Sequence, residues 1–119
     1  MTHGFSALPE IDAALRSADR ILIASDFDGT LCPIAATPSD AAVPSSTLPV
    51  LRSLIACPGV TLAVISGRSL KDIGEQIPFD IALAGNHGLE MAGAGIQFRH
   101  PEAERLSRLL PAMYEALEE

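Results

Sequence analysis

The stretch Ile21 to Leu31, I-L-I-A-S-D-F-D-G-T-L, constrains this chain more than any other. Four apolar residues, Ile21 to Ala24, run without interruption, which predicts a strand buried on both faces of a parallel sheet rather than a half-exposed one. Asp26 and Asp28 then fall just past the strand's carboxyl end, where open α/β sheets bind ligands. Two residues apart in extended backbone, the two carboxylates point to the same side. Gly29 lets the chain turn sharply behind them.

Such a pair suits phosphoryl chemistry. An aspartate carboxylate is a competent nucleophile toward a phosphoryl group, forming an aspartyl-phosphate that water hydrolyses, while a second carboxylate handles a proton. A Mg²⁺ on hard oxygen ligands would offset the repulsion between anionic nucleophile and anionic substrate. The competing reading makes Asp26 and Asp28 turn carboxylates that cap the next segment. The apolar strand before them and Gly29-Thr30-Leu31 after them weigh against it. With these residues in place, D-F-D-G-T-L resembles the first motif of the haloacid dehalogenase superfamily, D-x-D-G-T-[LV] after a buried strand.

At 119 residues, 48% hydrophobic and 4% aromatic, the chain is long enough for one modest globular α/β domain and too short for two. A formal charge of −7, with no basic run, argues against a nucleic-acid partner. Lys71 is the only lysine. Cys32 and Cys57 make neither a metal spacing nor a disulfide framework, and beside Asp28 a buried, space-filling Cys32 is favoured over a reactive thiol. No basic region followed by an apolar core opens the chain, and no apolar run reaches membrane-spanning length. The expectation is therefore no signal peptide, no membrane segment and a cytoplasmic protein.

In chain order, Leu8, Ile11, Leu15 and Ala18 predict a surface helix over Ser6 to Asp19, with Pro9 tolerable in its first turn. Cys32 to Val43 reads as a loop over the site, stiffened by Pro33 and Pro38. A helix starts at Ser46 or Thr47 and stops at Cys57-Pro58-Gly59. Val60 to Ile65 is a second buried strand, completing a βαβ crossover. Ser69 and Asp72 resemble a capping box, and the helix after them closes at Pro78. Ile81 to Ala84 forms a third strand. Leu89 to Met91 and Ile96 to Phe98 read as a hairpin around a four-residue loop, Ala92 to Gly95. Beyond Pro101, Leu106, Leu109, Leu110, Met113 and Leu117 predict one helix running to the end.

Two further turns carry candidate residues. In Ser66-Gly67-Arg68 a hydroxyl can hydrogen-bond a phosphate oxygen while an arginine fork binds a charged or polar group. The alternative is a serine cap with a solvated arginine, which the neighbouring strand end at Asp26 disfavours. In Gly85-Asn86-His87-Gly88-Leu89-Glu90, His87 could serve as base, sugar contact or packing residue, and chemistry alone favours packing. His3 and His100 show no partner pattern.

Together, D-F-D-G-T-L, [VI]-S-G-R and G-x-H-G-x-E resemble the trehalose-6-phosphate phosphatases of that superfamily, over Ile21 to Glu90. The resemblance implies a three-layer, Rossmann-like parallel sheet with flanking helices, here incomplete, plus the short β-hairpin. It implies removal of phosphate from trehalose 6-phosphate, with Asp26 as nucleophile and Asp28 as general acid/base. Mg²⁺ would be held by the Asp26 carboxylate and the Asp28 backbone carbonyl. Ser66, Gly67 and Arg68, with His87 and Glu90, would bind the phosphate or the substrate. Asn86 departs from the charged residue often found at its position.

The resemblance also implies parts that are missing: a later lysine, a later acidic pair completing the metal site, and a cap domain. Lys71 lies inside the second crossover helix and cannot serve. The expectation is that residues 1–119 are the N-terminal part of such a phosphatase core, with the C-terminal half as a partner and the first strand left at an open sheet edge. Phosphatases of other sugar phosphates, and a non-catalytic phosphatase-like module, are the alternatives.

Overall fold

The computed structural model describes residues 4–37 and 40–118, so Pro38 and His3 lie outside the described residues. β1 (Ile21–Asp26) and β2 (Val60–Ile65) pair in parallel, residue for residue, from Ile21↔Val60 to Asp26↔Ile65. β3 (Ala82–Gly85) continues the parallel sheet beside β2, with Ile65 opposite Ala84. The predicted hairpin forms as β4 (Glu90–Gly93) and β5 (Ile96–Arg99), and it extends the sheet by pairing antiparallel to β3. The sheet is therefore mixed, five-stranded, and ordered β1-β2-β3-β4-β5.

Parallel neighbours need crossovers, and α2 (Thr47–Ile55) and α3 (Leu70–Gln76) supply them. Both helices pack on one face. Leu51 of α2 and Ile73 of α3 join Leu62, Val64 and Leu83 of the strands in one buried cluster, closed at the carboxyl ends by Phe27, Leu31 and Cys32. Two crossovers of the same hand that step in the same direction across a sheet must lie on the same side. No helix among the described residues covers the other side.

That uncovered face differs from the expectation for β1. Its burial alternates, and Leu22 is 68% exposed although it sits in an unbroken apolar run. Ile65 on the same face of β2 is 47% exposed. β1 is also the sheet edge, as expected for a chain without the later strands. Two of the three expected layers are present.

The ends of the chain lie off the sheet. α1 (Leu8–Ser17), preceded by a 3-10 turn at Gly4–Ala7, and α4 (Pro101–Ser107) contain no buried residue. The radius of gyration, 17.8 Å, exceeds the roughly 13.5 Å of a compact chain this long. The predicted single C-terminal helix is broken, because α5 (Leu110–Glu118) begins anew after Arg108 and Leu109. Pro111 accounts for the break. It has no N–H to bond the Ser107 carbonyl, and is accommodated only in a first turn.

The hairpin turn is tighter than expected. Only Ala94 and Gly95 connect the strands, at φ +51° and +78°, the positive values a two-residue turn needs. The Asp80 carboxylate accepts from the Ala94 N–H at 2.8 Å and holds that alanine in place. The loop after Leu31 is only partly at the site. Ile34 lies against the Gly29 turn, whereas Gln76 of α3 ties down Ala41 and Val43.

Candidate active site

Strand register alone brings three turns together. Asp26, Ile65 and Ala84 stand side by side, so the chain leaves β1, β2 and β3 at one level of the sheet. The D-x-D turn is closed by Leu31 and Cys32 N–H groups donating to the Phe27 carbonyl, at 3.0 and 3.2 Å, and by Gly29 N–H donating to Cys32 at 2.8 Å. Gly29 takes φ +80°, a left-handed conformation that glycine adopts without strain.

Within that turn the two aspartates have different surroundings. Asp26 ends β1 on the uncovered face and is exposed. Asp28 is held by Arg68 from the second turn: Nε donates to Oδ2 at 2.8 Å and Nη2 to Oδ1 at 2.7 Å. This is the two-pronged geometry for which the guanidinium plane is suited. The guanidinium also lies 5.3 Å from the centroid of the Phe27 ring, which is fully buried beneath it. The Arg68 hydrogen bonds hold the Asp28 carboxyl below its ordinary value, outweighing desolvation, and the same bonds raise Arg68.

Ser66 is 4% exposed and its Oγ accepts from the Arg68 N–H at 3.1 Å, while its own hydroxyl proton remains a donor. Gly67 leaves room for the His87 ring. A Cβ there would lie 2.7 Å from Cε1 of His87. His87 is exposed, in left-handed backbone at φ 57°, and its N–H donates to the Ser66 carbonyl at 3.0 Å. Asn86 N–H donates to the Arg68 carbonyl at 2.7 Å, so the third turn is laced to the second. The Glu90 carboxylate accepts from Leu70 N–H and from Asn86 Nδ2.

All seven sequence-predicted residues thus lie on these three turns. Sequence reasoning missed Phe27 as the seat for Arg68 and Asn86 as a link. The aromatic between the two aspartates, and an asparagine among glycines, were the available signals. Cys32 is buried and its thiol is pushed up, first by burial and then by the Asp28 charge, which agrees with a packing role. Lys71 is exposed and lies 3.9 Å from Glu75 on its own helix.

Beside the third turn a cleft of about 630 Å³ opens against α4, lined by Asn86, His87, Glu90, Arg99, Glu104 and Ser107 among others. That volume is in the range of small-ligand sites. Asp26 and the Asp28 carbonyl offer hard oxygens of the kind Mg²⁺ prefers. In number they fall short, since the described residues contain no cluster of three His, Cys, Asp or Glu side chains suited to a metal. No helix among the described residues is long and apolar enough to cross a membrane.

The trehalose-phosphatase family profile matches residues 24–109. The trehalose-phosphate phosphatase of Mycobacterium bovis (strain BCG / Pasteur 1173P2) is 32% identical over 96% of this chain, which spans 30% of that protein. A Mycobacterium tuberculosis protein named as an uncharacterized glycosyl hydrolase is 44% identical over 56% of the chain, or 5% of its own length. Among solved structures, a trehalose-6-phosphate phosphatase related protein superimposes with a TM-score of 0.71 at 26% identity, over 82% of this chain and 42% of that one. The C-terminal domain of the C. albicans trehalose-6-phosphate phosphatase has the same fold, with a TM-score of 0.68 at 23% identity, over 91% and 40% of the two chains. With the profile covering most of its length and all three turns falling inside that match, the chain belongs to the trehalose-phosphatase family.

Proposed function

We propose that this chain is the nucleophile-bearing part of a phosphohydrolase that releases phosphate from trehalose 6-phosphate. The observation that carries the reading is the meeting of the D-x-D, S-G-R and G-N-H-G-L-E turns at one level of the sheet, with Arg68 forked onto Asp28.

In this reading the exposed Asp26 carboxylate attacks phosphorus and the bond to the sugar oxygen breaks, leaving an aspartyl-phosphate that water then cleaves. Asp28 delivers a proton to the leaving oxygen and takes one back from the water. While Arg68 grips both its oxygens, Asp28 is kept ionised. An arriving phosphate gives the arginine fork a second acceptor and frees Asp28 to take up from solvent the proton that it then delivers. Ser66 donates to a phosphoryl oxygen, Gly67 admits His87 close to the turn, and His87 faces the sugar.

Mg²⁺ belongs to the same proposal. Asp26 and the Asp28 carbonyl would hold it together with donors from outside this chain, and when bound it would neutralise charge on the phosphoryl group. Residues beyond the 119 would also cover the bare face, pair with the β1 edge, and supply the missing lysine and acidic ligands. A cytoplasmic location is part of the same proposal. A non-catalytic module is the second reading, favoured by the short metal donor set.

The test is phosphate release by the longer protein containing this chain. Trehalose 6-phosphate should be cleaved far faster than glucose 6-phosphate or sucrose phosphate, and EDTA should stop the reaction. Asp26→Asn should reduce the rate by several orders of magnitude. Equal rates across the panel would point to a general sugar phosphatase, and normal turnover by Asp26→Asn would refute the covalent route. The 119 residues alone should release no phosphate.

A further inference from the structure

The second and third turns meet at Glu90. Its Oε1 accepts from the Leu70 backbone N–H at 2.8 Å and from Asn86 Nδ2 at 2.7 Å, and Oε2 lies 3.6 Å from the Arg99 guanidinium. Leu70 is two residues beyond Arg68. Asn86, in turn, donates its own N–H to the Arg68 carbonyl at 2.7 Å. One carboxylate oxygen therefore holds both the residue that grips the Arg68 main chain and the point where the chain enters α3. Asn86 sits at φ 49°, an uncommon conformation for a residue with a side chain, and its bond to Glu90 helps to keep it there.

We propose that Glu90 is a positioning residue for Arg68 and not a ligand of the phosphate. The Glu90 side chain is 15% exposed, with its oxygens directed to protein donors. An ionised carboxylate has no donor to offer a phosphate and repels it. A backbone N–H and an amide NH₂, by contrast, are the partners an acceptor of this kind fits. By fixing Leu70 and Asn86, Glu90 sets where the Arg68 fork points, toward Asp28 in the resting site and toward the phosphate when one is bound. The proposal rests on the phosphatase reading for the identity of that ligand, and on geometry alone for the positioning.

The two parts separate experimentally, positioning in the 119-residue chain and phosphate binding in the longer protein that contains it. In ¹⁵N-labelled protein without phosphate, the Arg68 Nε–H bonded to Asp28 should give a resolved signal that exchanges slowly with solvent. Glu90→Ala should remove that signal or speed its exchange at least tenfold, and should likewise expose the Leu70 amide. Glu90→Gln retains a carbonyl acceptor for both donors and should restore both readouts to within about threefold. Asn86→Gly deletes one of the two bonds while tolerating the same backbone. It should fall between wild type and Glu90→Ala, and it serves as the reading if Glu90→Ala does not fold. Inorganic phosphate titrated, with Mg²⁺, into the longer protein containing this chain should bind at least tenfold more weakly to Glu90→Ala than to Glu90→Gln. Positioning is overturned if wild type shows no protected Arg68 Nε–H, if Glu90→Ala leaves it unchanged, or if Glu90→Gln loses it as fully as Glu90→Ala. Failure of the longer wild-type protein to bind phosphate while these signals respond as described counts against the phosphatase reading and leaves positioning standing.

Discussion

The two faces of this sheet are made from the same strands and have opposite fates. On one, Ile23, Leu62, Val64 and Leu83 pack beneath α2 and α3 and form the core. On the other, Leu22, Ala24, Thr61 and Ile65 face outward with no helix of the described residues above them. Strand composition barely distinguishes the two, since Thr61 is the one polar residue in I-L-I-A and V-T-L-A-V-I. The difference comes from chain direction. Each crossover steps the same way across the sheet, so both local helices land on one side and leave the other uncovered among the described residues. The comparison extends into the site. Asp26 ends the bare side and stays exposed, whereas Phe27 turns into the core and seats Arg68 against Asp28.

The sharpest way to break the comparison is to place a charge on each face. Val64 is fully buried, and Val64→Asp should destabilise by more than about 4 kcal/mol, since an unpaired carboxylate would be placed among aliphatic groups. For a sheet covered by helices on one face, that is enough to abolish any unfolding transition in denaturant. Leu22→Lys, on the bare face of the edge strand, should leave the transition in place and raise soluble yield, because charge on an exposed edge opposes strand-to-strand aggregation. Equal damage from both would mean that the bare face is covered in solution.

A smaller effect tests how the covered face is closed. Ile73 of α3 is fully buried against the sheet. Ile73→Ala should cost about 2–5 kcal/mol, read from the denaturation midpoint. A loss below about 1 kcal/mol would show that α3 is only loosely docked.

Much of this was legible in the sequence, for identifiable reasons. The apolar runs located β1 and β2, although β1 carries on through the polar Ser25 and Asp26, and the D-x-D and S-G-R segments located the turns. Ser69 was readable as a cap, and its Oγ accepts from the Asp72 N–H at 3.1 Å. The resemblance to the family also identified β1 as the strand that would be left at an edge. Other features depend on contacts between distant residues. The Arg68–Asp28 fork joins positions 40 residues apart, and no local pattern encodes it. The same holds for Gln76, which holds the loop at Ala41 and Val43, and for Asp80, which keeps Ala94 in a positive-φ turn where glycine would be expected. The break before α5 was encoded locally, in Pro111, but was masked by the regular spacing of leucines around it.

The smallest effect lies at the rim where the two faces meet, and it depends on pH. The Arg68 hydrogen bonds hold the Asp28 carboxyl below its ordinary value of 3.8. A carboxyl lowered on folding stabilises the folded chain fully above its ordinary value, and that contribution is lost as pH falls through the lowered one. The Asp28 side chain is 41% exposed while Arg68 is 12% exposed, so solvent screens much of the attraction and the contribution should stay within about 1 kcal/mol. Denaturation of wild type and Asp28→Asn should therefore differ slightly and constantly from pH 7 down to about pH 5, and the gap should close below pH 4 as Asp28 takes up its proton. If the Asp28 gap closed near pH 6 instead, the carboxyl would be raised and not lowered, and Arg68 would not be its partner in solution.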